Sequence, residues 1–109
     1  MAKNNNHNLE ISEHEFESIL GEPLAIVDFF AEWCMPCLML APVIEDLSDK
    51  FHGRIKFAKV NVDENQNLAG KFKVMSIPTL IVLKNGKEVD RIMGALPQEV
   101  LEEKFNKHL

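Results

Sequence analysis

The chain has 109 residues, of which 46% are hydrophobic, and a formal net charge of -5. That length suits one compact domain with a real core, and it needs no disulfide to hold it together. The basic residues are scattered rather than run together, which argues against a phosphate-tracking surface for nucleic acid and against attraction to an anionic membrane.

Residues 1–8 are polar and Asn-rich and read as a flexible tail, with residues 9–109 as the single domain that follows. The tail lacks the apolar stretch of a signal peptide and the chain lacks a membrane-length apolar run, so a cytoplasmic location is expected. Leu9–Ile11 could add a short first strand. Ser12 and Glu15 have the spacing of a capping box, with Ile11 and Phe16 as a hydrophobic staple, and Gly21 and Pro23 stop the helix near Leu20.

Leu24 to Phe30 is a nearly unbroken apolar run of strand formers, the pattern of a strand covered on both faces. A long helix is expected from Cys34 or Met35, with Leu40, Val43, Ile44, Leu47 and Phe51 on its core face, a kink at Pro42 and a stop at Gly53. Residues 54–62 read as a second strand and 65–72 as a short helix. Thr79–Leu83 is a further buried strand, Asn85-Gly86 a hairpin turn, and Glu88–Met93 the returning edge. Val100, Leu101 and Phe105 mark a last helix. The order predicts an α/β fold: a mixed sheet of four to five strands flanked by about four helices. Strands separated by helices are expected to run parallel, with one antiparallel edge from the hairpin.

The chemistry concentrates in Trp33-Cys34-Met35-Pro36-Cys37, directly after a buried strand and opening a helix. Cysteines three apart on a helical turn bring their sulfurs within bonding reach. The first lies where a helix presents unpaired N–H groups and its positive dipole end, which favours thiolate over thiol. Pro36 suits a helix start because it has no N–H to leave unpaired. Cys34, nearer the helix start and expected to be the more exposed, reads as the nucleophile. Cys37, inside the first turn, reads as the resolving cysteine. The same spacing also fits half of a zinc site. That site needs further ligands, the chain has no other cysteine, and His7, His14, His52 and His108 form no ligand-spaced pair. A disulfide exchange pair is therefore favoured over a metal site, and no metal is expected.

Together with Val27–Cys37, the segments Ala41-Pro42, Lys59–Asp63, Ile77–Leu80, Lys84–Lys87 and Gly94-Ala95 resemble the thioredoxin family, from about Leu24 to the end of the chain. The resemblance implies a thioredoxin-like fold and a protein disulfide reductase acting through Cys34 and Cys37. It implies that Asp28 is the buried carboxylate behind the cysteines. The sequence supports this independently, since a carboxyl in an apolar strand is desolvated and its pKa rises. The alternative is an Asp ending a strand in solvent. Lys59 matches the lysine beside that carboxylate, against the alternative of an ordinary exposed strand lysine. Pro78 matches the family's cis-proline, which exposes the backbone of Ile77 for pairing with substrate; without the resemblance, a trans proline at a strand start is the simpler reading. Trp33, Met35, Pro36, Ile77, Pro78, Gly94 and Ala95 would form the substrate-binding surface around Cys34.

The family resemblance further implies disulfide-bearing protein substrates and a separate thioredoxin reductase, either an NADPH-dependent flavoprotein or a ferredoxin-linked enzyme. It also implies a monomer with no cofactor of its own; no dinucleotide fingerprint occurs here. An ordinary thiol is about 3% ionised at pH 7, whereas one with a pKa near 7, a figure general to thioredoxins rather than worked from this sequence, is about half ionised. Three positions depart from the family pattern. Met35 replaces the glycine between the cysteines, Phe30 replaces the first of two tryptophans, and Leu38 stands where a lysine commonly follows the second cysteine. Met35 leaves the redox potential open, and Leu38 extends the apolar surface. A glutaredoxin-like or disulfide-isomerase-like enzyme and a non-catalytic binding module of the same fold are the competing functions.

Overall fold

A computed structural model describes residues 8–109, so the tail read over residues 1–8 lies outside the described residues except for Asn8. A turn of 3-10 helix at Glu13–Glu15 leads into α1 (Glu17–Leu20), followed by β1 (Leu24–Phe30), α2 (Met35–Lys50), β2 (Lys56–Asn61) and α3 (Gln66–Lys71). β3 (Thr79–Lys84), β4 (Lys87–Met93) and α4 (Gln98–Asn106) complete the chain. The Glu15 carboxylate accepts the Ser12 backbone N–H at 2.9 Å, so the capping signal marks a real helix start. Leu9–Ile11 forms a single parallel bridge, Glu10 to Lys59, rather than a full strand.

Among the described residues the sheet has four strands in the order β2-β1-β3-β4. β1 and β2 are parallel, whereas β3 runs antiparallel to both β1 and β4. This corrects the expectation that helix-linked strands would all pair in parallel. The cause is helix length. The 16 residues of α2 rise about 24 Å, enough to return the chain along a seven-residue strand of about 23 Å. The six residues of α3 rise only about 9 Å. The chain therefore re-enters the sheet at the end it has just left, and β3 starts beside the end of β1, where Phe29 pairs with Thr79. That reversal brings Ile77 and Pro78 to the same end of the sheet as Cys34.

Every residue of β1 is buried, as its apolar run requires. Alternate side chains serve opposite faces. Leu24 and Ile26 pack with Leu40, Ile44, Leu47 and Phe51 of α2 and with Leu101 and Phe105 of α4. Ala25, Val27 and Phe29 pack instead with Phe16, Ile19, Leu68 and Ala69. Full burial of each large apolar side chain contributes about 1.5–3 kcal/mol. Val43 only partly enters the core, and Val100 is exposed, so two of the apolar positions read as core stripe lie at its margin or outside it. Helix α2 runs without a break through Pro42. Asn85 and Gly86 both have positive φ (52° and 83°), the backbone that their hairpin turn demands.

Candidate active site

Phe30, Ala31, Cys34 and Cys37 form a small buried cluster where β1 gives way to α2. Cys34 is the N-cap of α2, and Pro36 occupies the first turn. The two cysteines are joined as a disulfide across a Cα–Cα distance of 5.2 Å. Cys34 Sγ accepts the backbone N–H of Cys37 at 3.2 Å. One of the helix's unpaired donors is thus aimed at this sulfur, and the same donor would stabilise a thiolate there. Exposure does not rank the two cysteines: Cys34 is 4% and Cys37 3% exposed, against the expectation of a clearly more open Cys34. The capping geometry is what separates them.

Asp28 lies on β1 two residues after Ile26 and two before Phe30, so alternation turns it to the face that α2 covers. It is 1% exposed, and among the described residues neither carboxylate oxygen has a hydrogen-bond partner. Burial pushes its carboxyl up to about 7, with Lys59 pulling in the opposite direction. A buried acid without partners is costly to ionise, so this carboxyl exchanges its proton near neutral pH. Lys59 is half-buried opposite Asp28 in the β1–β2 register, and its ammonium lies 4.6 Å from the centroid of the Phe30 ring. Neither residue is the solvent-exposed strand residue of its alternative reading.

The peptide bond between Ile77 and Pro78 is cis. The Ile77 carbonyl oxygen lies 3.9 Å from Cys34 Sγ, and Ile77 precedes the first β1–β3 pair, Phe29 with Thr79. The Thr79 hydroxyl donates to the Ser76 carbonyl at 2.6 Å, and Gly94 N–H donates to the Pro78 carbonyl at 2.9 Å, so the end of β4 is tied to this turn. Gly94 has φ +95°, a conformation that suits glycine. Trp33, Met35, Pro36 and Ala95 are exposed around the disulfide, and Gly94 is half-exposed.

A disulfide opens a helix here, a buried acid sits on the strand that leads to it, and a cis-proline peptide lies beside it. The family model described as "Thioredoxin" matches residues 7–107. The chain belongs to the thioredoxin family. It is 46% identical over 101 residues to the thioredoxin of Bacillus subtilis, covering 93% of this chain and 97% of that protein. It is 43% identical over 102 residues to a thioredoxin of Chlorobaculum thiosulfatiphilum, covering 92% and 94%. A solved structure of Plasmodium falciparum thioredoxin superposes with a TM-score of 0.84 at 40% identity, covering 92% of this chain and 98% of that one. The thioredoxin-like fold and the thiol–disulfide oxidoreductase activity follow from this membership and from the Cys34–Cys37 pair. As a thioredoxin, the chain acts on disulfide substrates and is reduced in turn by a reductase. No helix of the described residues is long and apolar enough to cross a membrane.

Two features of the site go beyond what the sequence predicts. The Trp33 indole N–H donates to Asp63 Oδ2 at 2.8 Å across 30 residues, a pairing that no local pattern signals. Met39, Met75 and Met93 are also exposed, beyond the apolar surface expected around Cys34. For Met39 a signal existed, because it falls off the stripe of buried α2 residues Cys37, Leu40, Ile44 and Leu47.

Proposed function

We propose that Cys34 is the attacking residue of a protein disulfide reductase, Cys37 the resolving residue and Asp28 the group that accepts the Cys37 proton. The observation that carries this reading is the hydrogen bond from the Cys37 N–H to Cys34 Sγ at the N-terminus of a 16-residue helix. It favours negative charge on that sulfur in the reduced protein.

In the reduced protein, the Cys34 thiolate attacks one sulfur of a substrate disulfide. The substrate S–S bond breaks, and its other sulfur leaves as a thiolate that takes up a proton. The Cys37 thiol then gives its proton to Asp28, through a water, and the Cys37 thiolate attacks Cys34 Sγ. The second substrate sulfur leaves and is protonated, and the Cys34–Cys37 disulfide remains. The substrate has gained two electrons and two protons, and the dithiol has lost them. Lys59 tunes the charge of Asp28. Trp33, Met35, Pro36, Ile77, Gly94 and Ala95 form the surface on which the substrate strand lies, with the Ile77 backbone pairing beside Cys34; Pro78, expected on this surface, is buried and serves it from beneath.

Residues 9–109 act as one domain, as a monomer in the cytoplasm. The recycling enzyme is a thioredoxin reductase, either NADPH-flavin or ferredoxin-linked. The test is the reduction potential of the Cys34–Cys37 couple in defined thiol–disulfide buffers. A value near -270 mV, the yardstick for thioredoxins in general rather than a figure worked from this structure, supports a reductase. A value above about -200 mV indicates an isomerase or oxidant and overturns the reductase assignment.

A further inference from the structure

The surface around the disulfide has two unlike sides, and the sheet order sets them. With β1 leading to Cys34, the end of β2 lies on one side, and the start of β3 with the end of β4 on the other.

On the β2 side the exposed side chains are carboxylates. Glu32 precedes Trp33, and Asp63, which receives the Trp33 indole, is followed by Glu64. Glu10 joins them through its bridge to Lys59. The turn that carries Asp63 and Glu64 is held from beneath. Buried Asn61 accepts the Asp63 N–H at 2.9 Å, and buried Asn65 donates to the Asn61 carbonyl at 3.0 Å. The Glu10 carboxyl is raised by partial burial first, then by the charge of Glu64, with a smaller push from Glu32. Lys59 opposes these charges at Glu10, but it is half-buried with its ammonium against the Phe30 ring.

On the other side methionines make up the exposed apolar surface, beside exposed Lys73 and Ser76. Met75 is 92% exposed beside Ile77, and Met93 is exposed at the end of β4. Met35 and Met39 continue this character along α2. All four methionines of the described residues are exposed, although methionine ordinarily goes to the core. Unbranched thioethers at a surface adapt to varied apolar partners. Shape and hydrophobicity on this side therefore discriminate little, and charge on the opposite side is left to discriminate.

We propose that this face selects protein disulfides bordered by a Lys or Arg, the basic side chain meeting Glu32 and Glu64 while an apolar neighbour of the disulfide rests on Met75 and Met93. The proposal rests on the reading of Cys34–Cys37 as the exchange site and names the substrate class of that site. The electron balance is that of the exchange already described, with the partner's disulfide as oxidant.

The test uses two disulfide-bridged peptides, identical except for Arg or Glu next to the cysteine, and the neutral 2-hydroxyethyl disulfide as reference. The reduced full chain is mixed with each, and the second-order rate of its oxidation is read at low salt and at 0.5 M salt. Each peptide rate is divided by the neutral disulfide's rate on the same protein. The Arg peptide is expected to react about ten-fold faster than the Glu peptide at low salt. At 0.5 M the gap closes to about two-fold, because a Debye length of only a few ångströms screens exposed charges. In Glu32→Lys/Glu64→Lys the preference reverses. An Arg-to-Glu ratio near one at low salt, or a ratio kept in the double variant, overturns the proposal while reaction with the neutral disulfide leaves the exchange site standing. No reaction with any of the three disulfides overturns the exchange site itself, and the proposal with it.

Discussion

Replacing Asp28 with Asn should stabilise the protein, and by more as the pH rises. The Asp28 carboxyl is raised from its ordinary 3.8 to about 7, chiefly by burial. At about 1.4 kcal/mol per pH unit this rise corresponds to about 4 kcal/mol. Below pH 3.8 the group is protonated in both folded and unfolded chains and makes no difference. Between 3.8 and about 7 the unfolded chain releases the proton while the folded chain holds it, so stability falls as pH rises. Above about 7 both states are ionised, and the penalty stays at its full size. Asn has nearly the shape of the protonated acid and never ionises. The variant should therefore match the wild type near pH 4 and exceed it by about 4 kcal/mol at pH 8. The assay is guanidinium unfolding of the oxidised proteins, followed by circular dichroism at pH 4, 6 and 8. Oxidation keeps the cysteines from titrating, and every other titrating group cancels in the difference. A difference that does not change with pH, or a wild type that is the more stable at pH 8, refutes the account of Asp28 as a buried, unpartnered acid.

Further outcomes follow from the same geometry. Lys59→Met removes the charge that pulls the Asp28 carboxyl down, so the Asp28 midpoint, read from its carboxyl carbon shift by NMR, should move upward; an unchanged or lower midpoint contradicts the coupling. Gly86→Ala places a Cβ 3.0 Å from the Leu20 carbonyl oxygen at φ +83°, and should destabilise the protein by about 1–3 kcal/mol in chemical denaturation without changing the reduction potential.

Much of the fold is readable from local pattern. Leu24–Phe30 is apolar at every position but one, and that strand is buried throughout. The exception, Asp28, is legible for the same reason: a charge in such a run either ends the strand or is functional, and the strand continues for two more residues. Asn85-Gly86 announces its turn because few residue pairs tolerate two positive φ values. The direction of β3 is not local. It depends on whether the preceding helix is long enough to span the sheet, and reading 65–72 as a short helix does not by itself say to which end of the sheet the chain returns. The gathering of Met75 and Met93 around Cys34 depends on that reversal, and the Trp33–Asp63 bond on the parallel pairing of β1 with β2, so no single segment reveals them. The relative exposure of the cysteines is not legible in the sequence, because both are buried in one cluster with Phe30 and Ala31. What distinguishes Cys34 is a backbone donor, which every residue but proline carries and no sequence pattern displays.

The account turns on which sulfur attacks. The most direct measurement reacts reduced Cys37→Ser with 2-hydroxyethyl disulfide and locates the trapped adduct by mass spectrometry of its peptides, with Cys34→Ser treated in parallel. The account predicts a stable mixed disulfide on Cys34 in the first protein, and little adduct on Cys37 in the second at pH 7. Faster or equal adduct formation on Cys37 would contradict it, because the helix N-terminus would then not be what activates the nucleophile.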